Sequence, residues 1–114
     1  MPNYQPAKLM RLHFSEHHRY KGRLLYEAIV EKCLELKMAG TTVIRGLEGY
    51  GEMAQIHRSH LLKHDLPIVV TIVDSAENID RLTPIVEGMM DTGLIAVSDG
   101  QIKRIQKGKA AADV

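Results

Sequence analysis

The run Leu66-Pro67-Ile68-Val69-Val70-Thr71-Ile72-Val73 carries no charge, and Thr71 is the only polar side chain in it. Its β-branched, nearly all-apolar content predicts a strand buried on both faces, and such a strand belongs in the middle of a sheet. Pro67 stands near its start, where a strand tolerates a missing N–H. The rest of the chain has to supply the neighbouring strands and their cover.

Residues 8–14 alternate, with Met10, Leu12 and Phe14 on one face and Arg11 and His13 on the other, which predicts a half-buried strand. Across residues 21–38 the stripe Leu25, Ile29, Cys33, Leu36 recurs at helical spacing, with Glu27, Glu31, Lys32, Glu35 and Lys37 on the wet side. Gly40 is expected to close this helix. Residues 41–47 read as a second strand, and 48–64 as a long connection without strand pattern. Asp74 followed by Glu77 signals a helix start, and Ile79, Leu82, Val86 and Met89 continue it, with a bend expected at Pro84. Thr92-Gly93 ends that helix. Residues 94–97 and 101–105 then form a last strand, interrupted near Asp99-Gly100.

The order is β-α-β-β-α-β, an α+β chain of ferredoxin-like type: a four-stranded antiparallel sheet with two helices on one face. One domain over residues 1–114 is expected, with its core at about 8–105 and a flexible tail at 106–114. The other sheet face, carrying Leu9 and the alternate apolar residues of 66–73, stays open in a lone copy. Burial against other copies is the simplest remedy.

Composition narrows the function. The net charge is +1, with one Phe, four Tyr and no Trp, so neither the basic excess nor the stacking aromatics of a general nucleic-acid binder is present. The lone Cys33 allows no internal disulfide and sits on the helical stripe, which fits a buried thiol in a reducing compartment. No apolar run approaches the ~18 residues of a membrane span, and the N-terminal residues lack a hydrophobic signal segment, so a cytoplasmic chain is expected.

Candidate chemistry concentrates in three places. The segment Ala39-Gly40-Thr41-Thr42-Val43-Ile44-Arg45-Gly46-Leu47-Glu48-Gly49-Tyr50-Gly51 delivers a strand into a glycine-studded loop. Glycine permits positive φ and close approach to a ligand, and successive N–H groups can hold an anion, although a plain hairpin loop gives the same pattern. The basic segment His17-His18-Arg19-Tyr20-Lys21-Gly22-Arg23 stands where the first helix is expected to start, and free N–H groups with the helix dipole favour phosphate there. A solvated helix entry balanced by Glu16 and Glu27 is the alternative. His57, His60 and His64 would line one face of a helix as metal ligands do, but Arg58 and Lys63 oppose a cation and no carboxylate joins them. His13, His17 and His18 form a looser group. Ser15, Ser59, Ser75 and Ser98 sit in no nucleophile elbow, so no catalytic residue and no enzyme activity is expected.

The run His18-Arg19-Tyr20-Lys21-Gly22-Arg23-Leu24-Leu25-Tyr26-Glu27-Ala28-Ile29-Val30, followed by the glycine segment of 39–51 and then Asp65-Leu66-Pro67, resembles the uncharacterised bacterial and archaeal family grouped with PII-like (GlnB-like) proteins. The likeness spans about residues 8–105. It implies a homotrimer of ferredoxin-like subunits with a long loop between the second and third strands. In PII proteins a cleft between subunits binds adenine nucleotides, and the loop signals to a membrane transporter or an enzyme. Family members are also often linked to a small fluoride-export channel, which implies a membrane channel as partner. One departure stands out: the T-G-x-x-G-D-G-K-I type of phosphate segment is represented only by Thr92-Gly93 and Asp99-Gly100-Gln101-Ile102, and its lysine is absent.

The resulting expectation is a signalling and regulatory protein that binds ATP, ADP, AMP or a related anion without needing an obligatory cofactor. Its ligand residues are Arg19, Lys21, Arg45, Gly46, Glu48, Gly49, Gly51, Thr92 and Gly93, and residues 48–64 are its signalling loop. Tyr50 is available for stacking. A metal-binding protein resembling the CutA branch of the fold, using His57, His60 and His64, is the alternative, and an oligomer with no ligand is a third.

Overall fold

The computed structural model describes residues 3–50, 56–58 and 65–107. In chain order its elements are β1 (Gln5–Ser15), β2 (Arg19–Tyr20), β3 (Arg23–Leu24), α1 (Leu25–Glu35), β4 (Gly40–Arg45), β5 (Glu48–Tyr50), β6 (Ile56–Arg58), β7 (Pro67–Asp74), α2 (Ala76–Met89) and β8 (Leu94–Ile102). The main sheet has four strands in the order β4-β7-β1-β8, every pair antiparallel. This is the expected ferredoxin-like α+β arrangement.

β7 is central, but it is buried on one face only. Ile68, Val70 and Ile72 are closed off from solvent, while Val69, Thr71 and Val73 are half-buried. Both helices lie on the first side. There Leu25, Ala28, Ile29 and Cys33 of α1 and Ile79, Leu82, Val86 and Met89 of α2 pack on Met10, Leu12, Phe14, Ile68, Val70 and Ile72. Each fully buried aliphatic side chain in this layer contributes about 1.5–3 kcal/mol.

The first helix is shorter than its charge pattern suggests. Lys21 at φ 50 and Gly22 at φ 81 make a two-residue turn of type I′, so Arg19–Tyr20 and Arg23–Leu24 pair as a hairpin and α1 starts only at Leu25. Its far end closes at Lys37 rather than Gly40. Lys37 adopts φ 59, its N–H donates to Leu34 O at 3.0 Å, and the Met38 N–H donates to Cys33 O at 2.9 Å, which is a Schellman closure with lysine in the left-handed position. Leu36, the cap residue, is 42% exposed and leaves the stripe to Leu25, Ala28, Ile29 and Cys33.

α2 is capped by Ser75, whose Oγ accepts from the Asn78 N–H at 3.2 Å, and the helix runs on through Pro84. Asp74, one residue earlier, is a tie between elements. Its carboxylate accepts from the N–H groups of Ala39 (2.8 Å) and Ser75 (2.6 Å) and from Asn78 Nδ2 (2.9 Å), joining β7, α2 and the approach to β4.

Two further expectations are corrected. β8 is continuous through Asp99-Gly100, because Gly100 serves packing rather than a break: a Cβ there would stand 2.9 Å from Leu9 Cδ1. The connection 48–64 is not devoid of strands, since β5 and β6 pair antiparallel through Glu48 with Arg58, Gly49 with His57 and Tyr50 with Ile56. No helix among the described residues is long and apolar enough to cross a membrane.

Among the described residues, no helix lies on the side of the sheet away from α1 and α2. The ladders set its cross-strand rows: Ile44-Val69-His13-Leu94, then Thr42-Thr71-Arg11-Ala96, then Gly40-Val73-Leu9-Ser98. The expected exposed apolar residues, Leu9 among them, lie here, and Ile44 and Leu94 are 55% and 61% exposed.

Candidate functional site at the end of the sheet

The β5-β6 hairpin folds back onto the start of β7. Gly46 and Gly49 lie against the Pro67 ring, where a Cβ would stand 2.9 Å and 3.0 Å from Pro67 Cγ respectively, and the Gly46 N–H donates to Pro67 O at 2.7 Å. Neither glycine has a positive φ. They are glycines because the hairpin must approach proline closely, and a side chain would lift it off the sheet.

Between this hairpin and the open sheet face lies a cleft of about 470 Å³, lined by residues from four segments. Gly46, Glu48, Gly49 and Tyr50 come from the hairpin and the turn before it, Pro67, Ile68 and Val69 from β7, His13 and Phe14 from β1, Leu94 from the start of β8 and Gly93 from the turn just before it. Gly93, at φ +134, is required there, because a Cβ would come within 2.6 Å of His13 O. The wall is mainly apolar, with Glu48, His13 and the Tyr50 phenol as its ionisable groups. No lysine or arginine is among the described residues that line it.

Four sequence-predicted residues, Gly46, Glu48, Gly49 and Gly93, therefore meet at one place. Thr92 adjoins them through Gly93, and Gly51 lies outside the described residues. The predicted cations stand apart. Arg45 pairs with Glu16 at 2.6 Å, linking the end of β4 to the loop after β1. Arg19 and Lys21 are on the β2-β3 hairpin instead of a helix N-terminus, with Lys21 Nζ 5.2 Å from the centre of the Tyr20 ring. Arg23 is held by Glu31 through two contacts of 2.8 Å and 2.7 Å, which raise its pKa and lower that of Glu31.

The histidines divide similarly. His13 lines the cleft, His18 stacks on Phe14 with ring centres 6.1 Å apart, and His17 Nδ1 is 3.6 Å from Asp65 Oδ1. His57 is in strand β6, so a helical face beginning at that residue does not form; His60 and His64 lie outside the described residues. Cys33 is buried beneath α1, and that burial pushes its thiol pKa up against a smaller opposing hydrogen bond with Thr41. Phe14, Pro67, Ile68, Val69 and Leu94 carry no site signal in the sequence. They are ordinary strand residues, and only the register of three ladders brings them together.

The family model described as uncharacterized ACR, COG1993 (DUF190) matches residues 7–102. A UPF0166 protein of Aquifex aeolicus is 34% identical over 97 residues, covering 83% of this chain and 91% of that protein. UPF0166 protein MJ1524 of Methanocaldococcus jannaschii is 32% identical over 98 residues, covering 82% and 88%. Among solved structures, CPII, a nitrogen regulatory PII-like protein from Thiomonas intermedia K12 bound to ADP, AMP and bicarbonate, aligns with a TM-score of 0.65 at 20% identity, over 91% of this chain and 94% of that one. CPII bound to ADP and bicarbonate aligns with a TM-score of 0.61 at 19% identity, over 91% and 95%. Sequence and fold agree: the chain belongs to the uncharacterised DUF190 family and has a PII-like, ferredoxin-like fold.

Proposed function

We propose that this chain is a non-enzymatic regulatory protein of the cytoplasm that assembles as a homotrimer, takes ATP, ADP or AMP in the cleft, and signals through residues 48–64 to a partner such as a membrane transporter or channel. The observation that carries this reading is the meeting of Gly46, Glu48, Gly49 and Gly93 with Phe14 and Tyr50 around one concave space. A mainly apolar wall with few polar groups suits a nucleobase. The floor of the cleft includes Val69, His13 and Leu94, which form one cross-strand row of the open sheet face. A second copy covering that face would make the cleft a subunit boundary.

Phosphate needs cations that the described lining lacks. Arg19 and Lys21 of an adjoining copy would supply them, and Arg45 would add its charge on exchanging Glu16 for phosphate. Gly51 and Thr92 extend the backbone on either side. The ADP and AMP held by CPII support the reading by likeness of fold.

Thermal-shift measurements with ATP, ADP and AMP test it, because a ligand that prefers the native state raises the melting temperature. ADP or one of its relatives is expected to do so. In calorimetry the double variant Arg19→Ala, Lys21→Ala should bind the same nucleotide about tenfold or more weakly, given roughly 1.5–3 kcal/mol for a charge-assisted hydrogen bond. No shift with any of the three nucleotides overturns the proposal, and unchanged affinity removes the hairpin from it.

A further inference from the structure

The open sheet face carries a chemical mismatch at its centre. Its outer rows are mainly apolar, through Ile44, Val69 and Leu94 at one end and Val73 and Leu9 at the other, but the middle row places Arg11 beside Thr71, Thr42 and Ala96. No aspartate or glutamate is on any of these rows. Among the described residues Arg11 has no carboxylate within ion-pair distance, unlike Lys8, Arg23, Lys32 and Arg45, each of which has one.

When a closed symmetric assembly covers a face with the same face of other copies, residues at its centre meet their own symmetry mates. Here Arg11 would meet Arg11. Guanidinium groups drawn together between apolar rows, with no carboxylate on these rows, are an unneutralised buried charge, and such a charge is strongly unfavourable. A guanidinium also presents the fork of N–H donors that fits an oxyanion.

We infer that the assembled protein holds a small oxyanion of the phosphate or sulfate type on its symmetry axis, between the Arg11 side chains of its copies and beside the hydroxyls of Thr42 and Thr71. This rests on the self-association proposed above and is independent of nucleotide in the cleft. It makes the oxyanion a structural ligand of the assembly, so that assembly strengthens with its concentration.

Inorganic phosphate and sulfate, each compared with chloride at constant ionic strength, are the probes. For the full chain, phosphate or sulfate should raise the melting temperature, and calorimetry or native mass spectrometry should give one anion per assembly. Arg11→Met should stay assembled and lose the anion-dependent shift, while Arg11→Lys should keep part of it. ADP calorimetry on the same proteins separates the two sites, since Arg11→Met leaves nucleotide affinity unchanged if the cleft is distinct. The inference is overturned by an equal shift in Arg11→Met, by one anion per chain, by no anion effect in the wild type, or by a wild-type monomer. Dissociation of Arg11→Met to monomers would overturn it too, because Arg11 would then be answering a carboxylate of a neighbouring copy.

Discussion

Replacing Asp74 tests how the fold holds its elements in place. The residue is 7% exposed, and its carboxylate accepts from Ala39 N, Ser75 N and Asn78 Nδ2 at 2.8, 2.6 and 2.9 Å. Hydrogen bonds to a charged group contribute about 1.5–3 kcal/mol each, but these share one carboxylate and are not additive. Asp74→Ala should therefore cost about 3–4 kcal/mol, since it also strands the Ala39 and Ser75 donors. Asp74→Asn should cost somewhat less, keeping one acceptor oxygen while turning an amide N–H₂ toward a donor. Urea denaturation at fixed protein concentration reads both as shifts in midpoint with little change in slope.

The same residue carries a pH signature. Burial alone would push the Asp74 carboxyl up, but the hydrogen bonds from Asn78, Ser75 and Ala39 together outweigh it and hold the pKa below the ordinary carboxylate value. A carboxyl lowered in the folded state stabilises fully above its unfolded pKa of about 3.9, and that contribution disappears as pH falls through the folded value. The gap between wild type and Asp74→Asn should thus be constant near neutrality and narrow in acid below about pH 4. A cost for Asp74→Ala under about 0.5 kcal/mol, the level of an ordinary surface change, or a gap that widens in acid, would mean that the Asp74 carboxylate does not tie these elements together.

Three other perturbations have definite expected outcomes. Lys37→Gly should raise stability by about 0.5–1 kcal/mol in the same urea assay, because Lys37 stands at φ 59 in the helix closure. Gly46→Ala should cost about 1–3 kcal/mol, since its Cβ would meet Pro67 Cγ at 2.9 Å; combining it with Pro67→Ala should return part of that cost, a coupling that a double-mutant cycle measures. The Cys33 thiol, buried and with its pKa raised, should resist a thiol reagent at neutral pH in the native protein and react at once on unfolding.

Periodicity made the large elements legible. Leu25, Ile29 and Cys33 are buried as their spacing requires, and β7 lies inside the sheet as its apolar run implies. What the sequence concealed lay where one residue type serves two purposes. By local pattern Lys21-Gly22 belongs to a helix entry, yet it forms a hairpin turn, and the glycine after lysine is the available signal. Gly46, Gly49 and Gly100 have the local pattern of loop or break residues. Each instead makes room for a side chain distant in sequence, Pro67 or Leu9, and no local pattern reports that. For the same reason the glycines of the candidate site were legible while its apolar wall was not: Phe14, Val69 and Leu94 join only through strand register.

A crystal structure of the protein grown with ADP tests most directly the proposal that an adenine nucleotide occupies the cleft. Three copies are expected around an axis, with the base against Phe14 and Tyr50 beside Gly46, Gly49 and Gly93 and the phosphates toward the Arg19–Lys21 hairpin of a neighbouring copy. ADP seated elsewhere, or an empty cleft at a concentration that saturates binding in solution, would contradict it.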